Sequence, residues 1–461
     1  MPPMIEALGR TLHRLATRLM PDPFVLAVGL TLVVLALGVL FGDALAVGSL
    51  ADRFSATLLG WRSYLFDPRR PDGSVVEGYL YFAFQMCLVL VTGHALATSR
   101  PVGRALGALA RLPRSGAAAS ATVALIACAL ALVHWGLGLI GGALVAREAG
   151  RQLLRRGVPA HYPLIGAAGY TGLMVWGGGL SGSIPLKAID YRSDILADGV
   201  PLSLTLWSPL NLTVCAMLLV LVPVLAWALH PKEGCVPYAG PLDDRSDEEP
   251  ASEGRSPVVV WLECSRAPAL VLAVLGFGAV ALDAWRGTFR LDLNSLNVIF
   301  LFAGIAAQGS LLRYVRAVSD GVAGCAGIVL QFPFYFGILG ILLVTGLGAQ
   351  VSRAMAAASS EATYPLLTFL SAGLVNLFVP SGGGQWIIQG DIVIGGAGQD
   401  PALIGRAVMA LAYGDGWTNM LQPFWALPLL GILGLRARDI MGYTAAIMIV
   451  SGGAILLALW L

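Results

Sequence analysis

The sequence predicts an all-α polytopic membrane protein made of two inverted repeats, each with a re-entrant hairpin and a broken transmembrane helix. Its 461 residues are 57% hydrophobic and 12% charged, with a mean hydropathy of +0.77, whereas soluble domains carry roughly 25% charged residues. Glycine triplets at 177–179 and 382–384 interrupt apolar segments. Because lipid cannot satisfy free backbone N–H and C=O groups, each break predicts a helix that stops inside protein or beside a watery cavity.

The first half of the chain contains an interfacial helix and one complete repeat. Residues 1–23 combine leucines at helical spacing with Arg10, Arg14 and Arg18, which is typical of an amphipathic helix on the inner membrane surface. The first membrane repeat covers 24–229, and its elements in order are spans at 24–41 and 78–97, a hairpin at about 118–147, a broken helix at about 162–186 and a return span at 206–229. Arginines flank the hairpin on both sides, so the positive-inside rule places both flanks in the cytoplasm.

The second half follows a polar linker and repeats the same order. Residues 230–267 hold eight acids and four Arg or Lys, which predicts a cytoplasmic linker. The connecting helix and second repeat cover 268–461, with spans at 269–285, 295–312 and 321–347, a hairpin at about 364–397, a broken helix at about 403–435 and a final span at 440–461. An interruption of the third span is expected at Gln331-Phe-Pro333, and an external loop is expected at 61–77.

The two halves are predicted to be related by inversion. Each runs span, span, hairpin, broken helix, span, and the connecting helix 269–285 adds one crossing that reverses the second half. The segment beginning Trp176-Gly-Gly-Gly aligns with the one beginning Tyr413-Gly-Asp-Gly, and Gly136 aligns with Gly382. Inverted repeats whose discontinuous helices meet at the midplane are typical of secondary transporters that work by alternating access.

The breaks supply a candidate binding site for a small carboxylate. Glycine lets the backbone approach a solute, and the N-terminus of a half-helix carries partial positive charge that favours an anion. The residues predicted to bind substrate are Ser381, Gly382, Gly383, Gly384, Gln385, Gly177, Gly178, Gly179, Ser181, Ser183, Thr418 and Asn419. Gln85, Gln331 and Gln422 are predicted to line the path. The alternative is that these residues only permit tight turns, close helix packing and structural hydrogen bonds between helices.

Three ionisable residues are candidates for ion coupling: Asp415, His94 and His134. An ionised Asp at membrane depth costs about 2.5–3.5 kcal/mol on insertion scales, so Asp415 is expected to carry a proton or to pair with a cation during the cycle. A lone histidine in an apolar span is commonly a structural residue, and that alternative stands for His94. Asp391 follows the second hairpin, near the outer surface, where solvation is the simpler explanation.

Several function classes fit the sequence poorly. No nucleophile–base pair or metal-ligand cluster occurs at the breaks, so neither an enzyme nor a metal site is predicted, and no cofactor is expected beyond a coupling H⁺ or Na⁺. The 27 Arg and 2 Lys residues do not alternate with aromatic residues, which argues against nucleic-acid binding. Since the segments 176–185 and 413–423 contain no Arg or Lys, a monocarboxylate is favoured over a di- or tricarboxylate, which stays the alternative substrate class. A channel is the alternative mechanism.

The chain resembles the short-chain fatty acid transporter family over nearly its whole length. The likeness rests on six motifs: Met20-Pro-Asp-Pro-Phe24, Val91-Thr-Gly-His-Ala-Leu-Ala97, Trp176-Gly-Gly-Gly-Leu-Ser-Gly-Ser183, Val329-Leu-Gln-Phe-Pro-Phe-Tyr335, Val379-Pro-Ser-Gly-Gly-Gly-Gln-Trp386 and Met420-Leu-Gln-Pro-Phe-Trp-Ala-Leu-Pro428. The departures are Asp391 where the family usually has Pro, His134 where Asn is usual, Asp415 where Glu is usual, and the extra loop at 61–77.

The resemblance implies a multi-pass carrier of the bacterial inner membrane that moves monocarboxylates such as acetoacetate or butyrate. It also implies the fold that the pattern predicts by itself, in which two re-entrant hairpins pair with two broken helices. The expected partners are the substrate and the lipid bilayer, and homo-oligomerisation is left open. The expected direction of transport is uptake, and an ion gradient is expected to drive it.

Overall fold

The computed structural model describes residues 2–45, 49–65, 79–189, 191, 199–242, 256–289 and 293–461. These residues form α-helices joined by turns, and no strand occurs among them. Six of the described helical stretches are long and apolar enough to cross a membrane, namely Pro23–Phe41, Gly116–Val133, Pro209–Ala228, Arg266–Trp285, Leu311–Thr345 and Ala437–Trp460. The all-α polytopic class is confirmed.

The first half contains eleven helices within the described residues. They are α1 (Pro2–Leu19), α2 (Pro23–Phe41), α3 (Leu50–Leu65), α4 (Tyr79–Ala97), α5 (Arg100–Arg111), α6 (Gly116–Val133), α7 (Trp135–Arg155), α8 (Tyr162–Tyr170), α9 (Gly172–Val175), α10 (Ser183–Ile189) and α11 (Pro209–Ala228). The first hairpin is α6 and α7, and the first broken helix is α8, α9 and α10.

The second half contains another eleven helices in the described part of the chain. They are α12 (Pro257–Cys264), α13 (Arg266–Trp285), α14 (Leu293–Gln308), α15 (Leu311–Val322), α16 (Ala326–Thr345), α17 (Leu347–Ala357), α18 (Tyr364–Asn376), α19 (Gly382–Ala397), α20 (Pro401–Thr418), α21 (Pro423–Leu433) and α22 (Ala437–Trp460). The second hairpin is α18 and α19, and the second broken helix is α20 and α21.

Side-chain caps explain where the helices around the breaks begin. The first backbone N–H groups of a helix lack partners within the helix, so a side chain must satisfy them when they are buried. Ser115 accepts from Ala118 N–H at the start of α6, and His134 Nδ1 accepts from Gly136 N–H at 3.1 Å at the start of α7. Ser381 Oγ accepts from Gly384 N–H at 3.2 Å at the start of α19. The hairpin tips therefore carry their own stop and start signals.

The first hairpin lies with both ends at the end of the bundle where α22 begins, which we call the Tyr443 end. Arg156, which follows α7, donates to the carbonyls of Arg111 and Pro113 just before α6. His161, which precedes α8, lies 2.9 Å from the Tyr443 hydroxyl of α22. The hairpin thus starts and ends on one side, as the charge pattern predicts.

The second hairpin lies with both ends at the opposite end of α22, which we call the Leu459 end. Tyr364 at the start of α18 donates to the carbonyls of Ile392 and Val393 near the end of α19, at 3.0 Å each. In the next helix, Arg406 donates to the carbonyl of Leu459 at 2.5 Å. The two hairpins therefore open toward opposite ends of the bundle. The relation of the two halves as inverted repeats stays a prediction.

The structure adds helices that the sequence pattern does not predict. Residues 61–65 of the expected external loop are the end of α3, which packs against α16 through the close approach of Gly60 to Val344 and of Gly340 to the Gly60 carbonyl. The remainder of that loop, 66–77, lies outside the described residues. In the linker, α12 occupies 257–264, and residues 243–255 also lie outside the described part.

The third span of the second half is interrupted at a different place from the expected one. No break occurs at Gln331-Phe-Pro333, because α16 continues through Pro333. A proline removes one backbone donor, but membrane helices tolerate this when local adjustments satisfy the freed carbonyl. The helical path instead tightens at Ala323–Cys325, between α15 and α16.

Candidate functional site

The two broken helices and the tip of the second hairpin meet at Gly382. A Cβ built on Gly382 would lie 2.6 Å from the Ser183 hydroxyl oxygen and 3.3 Å from Asp415 Oδ2. Ser183 is the first residue of α10, Gly382 is the first of α19, and Asp415 lies in the last turn of α20. Residues from three separate predicted breaks are therefore in contact here.

The tip of the first hairpin binds the first broken helix rather than facing an open space. Leu180 N–H donates to the Leu132 carbonyl at 2.7 Å, and Trp135 N–H donates to the Ser181 hydroxyl at 3.1 Å. Ser181 Oγ is thus used as a structural acceptor. His134, which is 1% exposed, stacks on Trp135 and caps α7.

Three tryptophans surround this junction. The rings of Trp135, Trp176 and Trp425 lie with centroids 5.2–6.2 Å apart, and each comes from a different element: the first hairpin, the first broken helix and the second broken helix. Trp176 Nε1 also donates to the Ser181 carbonyl at 2.8 Å. We call this group the tryptophan triad.

Backbone atoms close two of the three positions of the first glycine triplet, and a side chain closes the third. A Cβ on Gly177 would lie 2.6 Å from the Ala412 carbonyl oxygen, and one on Gly179 would lie 2.5 Å from the Leu132 carbonyl oxygen. Gly178 adjoins Asn211, whose Nδ2 donates to the Gly178 carbonyl at 2.9 Å. In this conformation, the three glycines pack against protein.

Asn211 links the two broken helices. Its Nδ2 holds Gly178 of the first break, and its Oδ1 accepts from the Tyr413 hydroxyl of α20 at 2.8 Å. The residue is 1% exposed. A buried amide that uses both ends in this way is a positioning residue, and its place in the apolar run of α11 carries no sequence signal for that role.

The second glycine triplet faces side chains instead. A Cβ on Gly383 would lie 3.1 Å from Lys187 Cε and 4.0 Å from its Nζ. One on Gly384 would lie 3.3 Å from Val379 Cγ1. These neighbours are flexible or apolar, so the tip is less tightly enclosed than the first triplet.

Lys187 brings a basic side chain to the second glycine triplet, although the segments 176–185 and 413–423 contain none. It lies two residues beyond the segment 176–185, in the last turn of α10, and its side chain is exposed beside Gly383. Sequence spacing could not pair it with residue 383, since almost two hundred residues separate them. It is the one basic side chain that the described contacts place at the second glycine triplet.

Gln385 fastens the two arms of the second hairpin. Its Nε2 donates to the Ala372 carbonyl and to Gln389 Oε1, both at 2.7 Å, and Gln389 in turn donates to Ser352. Gln385 and Gln389 are both 0% exposed. The structure therefore gives Gln385 hydrogen bonds within the protein.

Asn376 is a site residue that sequence reasoning missed. At the end of α18, its Nδ2 donates to the Asp415 carbonyl at 2.8 Å, to Thr418 Oγ1 at 3.1 Å and to Asn419 Oδ1 at 2.9 Å. It is 0% exposed. Thr418 also donates to the Gly373 carbonyl at 2.9 Å. The polar residues Thr418 and Asn419 thus meet the second hairpin near its tip.

Unpartnered polar atoms concentrate around the second break. Asp415 is 2% exposed, and its Oδ1 has no hydrogen-bond partner among the described residues. The same holds for four neighbouring atoms: Asn376 Oδ1, Gln385 Oε1, Asn419 Nδ2 and Gln422 Oε1. Buried polar groups normally find partners, so a cluster of exceptions requires a physical explanation.

The other predicted residues lie apart from Gly382. His94 packs beside Gly321 between α4 and α15, and Gln85 donates to Asn294 on α14 at 2.6 Å. Gln331 is buried in α16. The structure does not bring His94 together with Asp415.

A second polar cluster lies at the Tyr443 end, outside the spans. His161 Nδ1 accepts from Val236 N–H at 3.2 Å, and His161 N–H donates to His230 Nε2 at 3.1 Å. Burial, together with the nearby His13 and His230, lowers the pKa of His161 to about 4. A neutral imidazole is required here because a protonated Nδ1 cannot accept the Val236 N–H.

Comparison with known proteins gives a consistent result. The sequence profile of the family described as "Short chain fatty acid transporter" matches residues 4–461. A protein of Escherichia coli (strain K12) named "Putative short-chain fatty acid transporter" is 35% identical over 463 residues, covering 97% of this chain and 98% of that protein. A protein of the same name from Haemophilus influenzae is 32% identical over 475 residues, covering 99% and 100%.

Among solved structures, the YdaH transporter of Alcanivorax borkumensis is similar, and its title describes an unusual topology. The two share 18% sequence identity and a TM-score of 0.42, with 95% of this chain and 97% of that chain covered. A likeness of this degree is too low to assign a fold or a function.

Proposed function

This chain belongs to the short-chain fatty acid transporter family, and on that premise we propose that it carries short monocarboxylates such as acetoacetate or butyrate across the bacterial inner membrane. The proposed mechanism is ion-coupled uptake by alternating access. The proposed site is the contact between Ser183, Gly382 and Asp415.

The observation that carries the proposal is the meeting of three breaks at one glycine. Ser183 Oγ and Asp415 Oδ2 both lie within 3.3 Å of the position that a Cβ on Gly382 would occupy. Broken helices place backbone donors and polar side chains deep in an otherwise apolar protein, which is the usual construction of a substrate site in secondary carriers. Apolar walls with a few polar groups suit a short alkyl acid.

Asp415 supports the proposal of ion coupling. Its carboxyl group is buried, and Oδ1 has no partner among the residues that the structure describes. A buried carboxylate without a partner is strongly disfavoured, so a proton or a cation is required in this conformation. A group that must gain and lose a proton or cation at membrane depth is suited to couple an ion gradient to uptake.

The opposed hairpins support alternating access. The first hairpin opens toward the Tyr443 end and the second toward the Leu459 end, and their tips approach the same pair of broken helices. In the proposed cycle, movement of the second tip relative to the first would expose the site to one end of the bundle at a time.

The experiment that tests this function is transport by the purified protein in proteoliposomes. Labelled C2 to C6 monocarboxylates and a di- and tricarboxylate would be supplied with a proton gradient, with a sodium gradient and with neither. We expect saturable uptake and counterflow of the short monocarboxylates. Unsaturated flux with unitary currents would instead indicate a channel, and product formation would indicate an enzyme.

The coupling role of Asp415 is tested in the same assay by Asp415→Asn. This change keeps the size and hydrogen bonding of the side chain but removes titration. We expect exchange of substrate down its own gradient to persist while accumulation driven by an ion gradient is lost. Asp391→Asn is the matched control, because Asp391 is exposed. Accumulation by Asp415→Asn equal to that of the parent under both gradients would show that Asp415 is structural.

A further inference from the structure

We propose that Lys187 and the N-terminus of α19 together receive the substrate carboxylate, and that this pair selects acids with a single negative charge. The proposal rests on the proposed function and assigns the carboxylate a place within that site. It concerns a basic residue that lies just beyond the segment 176–185.

The first observation is the contact between Lys187 and the tip of the second hairpin. Lys187 extends along the second glycine triplet, with Cε 3.1 Å and Nζ 4.0 Å from the position of a Cβ on Gly383. A glycine at this position lets the lysine side chain lie directly against the hairpin backbone. The ammonium group is therefore beside the start of α19.

The second observation concerns the first backbone N–H groups of α19. Ser381 caps α19 by accepting from Gly384 N–H, whereas Gly382 N–H and Gly383 N–H have no hydrogen-bond partner among the described residues. The first N–H groups of a helix carry partial positive charge and bind carboxylates well. Two free N–H donors and one ammonium group suit the two oxygens of a single carboxylate.

The third observation is that the charge of Lys187 is not balanced by a neighbouring side chain in the described part of the chain. Its ammonium group forms no ion pair or hydrogen bond with any residue that the structure describes. A cation held beside a positively polarised helix start is poorly balanced, and an anion between them would improve the electrostatics of both.

Asp415 supplies the discrimination. It is 2% exposed, its Oδ1 is unpartnered among the described residues, and its Oδ2 faces Gly382, the neighbour of the glycine that Lys187 covers. A monocarboxylate would place its one charge beside Lys187 and its alkyl tail elsewhere. A second carboxylate on the substrate would lie near Asp415, which supplies no positive charge of its own, so that second charge would be held without a partner.

The first test uses the fact that the chain has only two lysines, Lys187 and Lys232. Both are exposed, and Lys232 lies after α11, far from the hairpin tip in the fold. Purified protein would be treated with an amine-acetylating ester, and the modification rate of each lysine would be followed by mass spectrometry. Butyrate at ten times its Kd should slow modification of Lys187 about tenfold and leave Lys232 unchanged. Butyramide, which lacks the charge, should protect neither lysine.

The second test separates binding from turnover. In proteoliposomes, Lys187→Gln should raise the KM for butyrate by about tenfold or more, with a maximal rate within about twofold of the parent, since mainly binding is lost. Lys187→Arg should restore most of the affinity, and Lys232→Gln is the matched control that should change neither constant.

The outcomes distinguish this inference from the proposed function. If the parent protein shows no saturable butyrate uptake, both proposals fail. If the parent transports butyrate but Lys187→Gln keeps the parent's KM, or if butyrate leaves the acetylation of Lys187 unchanged, the role of Lys187 is overturned while the transport function stands.

Discussion

The two glycine triplets have the same composition but different surroundings. Gly177–Gly179 abut the backbone of Ala412 and Leu132 and the side chain of Asn211 at 2.4–2.6 Å from an added Cβ. Gly382–Gly384 face Ser183, Lys187 and Val379, all of them through side-chain atoms. Backbone is fixed by its helix, whereas side chains change rotamer, so the first junction is rigid and the second can yield.

The polar atoms show the same difference. Around the first junction, in the described residues 132–136 and 176–183, no buried side-chain polar atom lacks a partner. Around the second, five such atoms do. A fully bonded junction stabilises one arrangement, while a partly bonded one leaves polar groups to bind a solute. Under the proposed function, this difference makes the first hairpin the support and the second the moving, binding element.

The largest effect is expected from filling the rigid junction. Gly179→Ala places a methyl group 2.5 Å from the Leu132 carbonyl oxygen, and overpacking of this kind costs about 1–3 kcal/mol. We expect a large loss of monodisperse protein and a lower thermal midpoint in detergent. Gly395→Ala is the control, because nothing lies within 4 Å of a Cβ there. Equal yields and midpoints for the two variants would contradict a rigid first junction.

Filling the second glycine triplet is expected to impair transport and not folding. In Gly383→Val, the nearest neighbour of the new side chain is the flexible end of Lys187, so the protein should fold and insert normally. The branched side chain occupies the proposed carboxylate space, and uptake should fall roughly tenfold or more, which corresponds to about 1.4 kcal/mol. Abundance in membranes and initial uptake rates measure the two effects. Normal uptake at normal abundance would remove the tip from the site.

A smaller effect is expected from the bond that joins the two broken helices. Tyr413→Phe removes the hydroxyl that donates to Asn211 Oδ1 at 2.8 Å. A typical buried hydrogen bond contributes about 1 kcal/mol, so the thermal midpoint should decrease modestly while the KM for substrate stays the same. A changed KM with an unchanged midpoint would place Asn211 in the binding site rather than in the support.

The smallest effect is expected at the Tyr443 end and depends on pH. Burial lowers the pKa of His161 to about 4 from its ordinary value of 6.5. The unfolded chain therefore binds more protons between these values, so stability is complete above pH 6.5 and decreases as pH falls toward 4. The loss at pH 6 should be less than about 1 kcal/mol. The slope of stability against pH should decrease in His161→Gln; an unchanged slope would show that His161 does not titrate as described.

Composition, flanking charges and glycine positions are sufficient to predict much of the fold. Apolar runs predict the spans, and arginines on both flanks of 118–147 predict a re-entrant hairpin. Glycines predict the breaks at 177–179 and 382–384. Helix α3 was missed because Arg53 and Arg62 lower its apolar content. The expected break at Pro333 was wrong because local periodicity cannot show that a proline is accommodated within a continuous helix.

The site was less predictable because its contacts join distant segments. Ser183, Gly382 and Asp415 could be named as candidates from their local motifs, but Asn376, Asn211 and Lys187 have ordinary helical surroundings in the sequence. The different environments of the two glycine triplets are also invisible in the sequence, since an added Cβ is tolerated or refused only according to what another segment places beside it.

The tryptophan triad gives the protein a built-in optical reporter. Aromatic rings with centroids 5.2–6.2 Å apart couple their electronic transitions, and the resulting circular dichroism in the near ultraviolet depends on the angles between them. Trp135, Trp176 and Trp425 belong to three different elements, so a rotation of the first hairpin against either broken helix would alter the signal without any attached dye. A support that stays still during turnover would leave this spectrum constant as substrate is added.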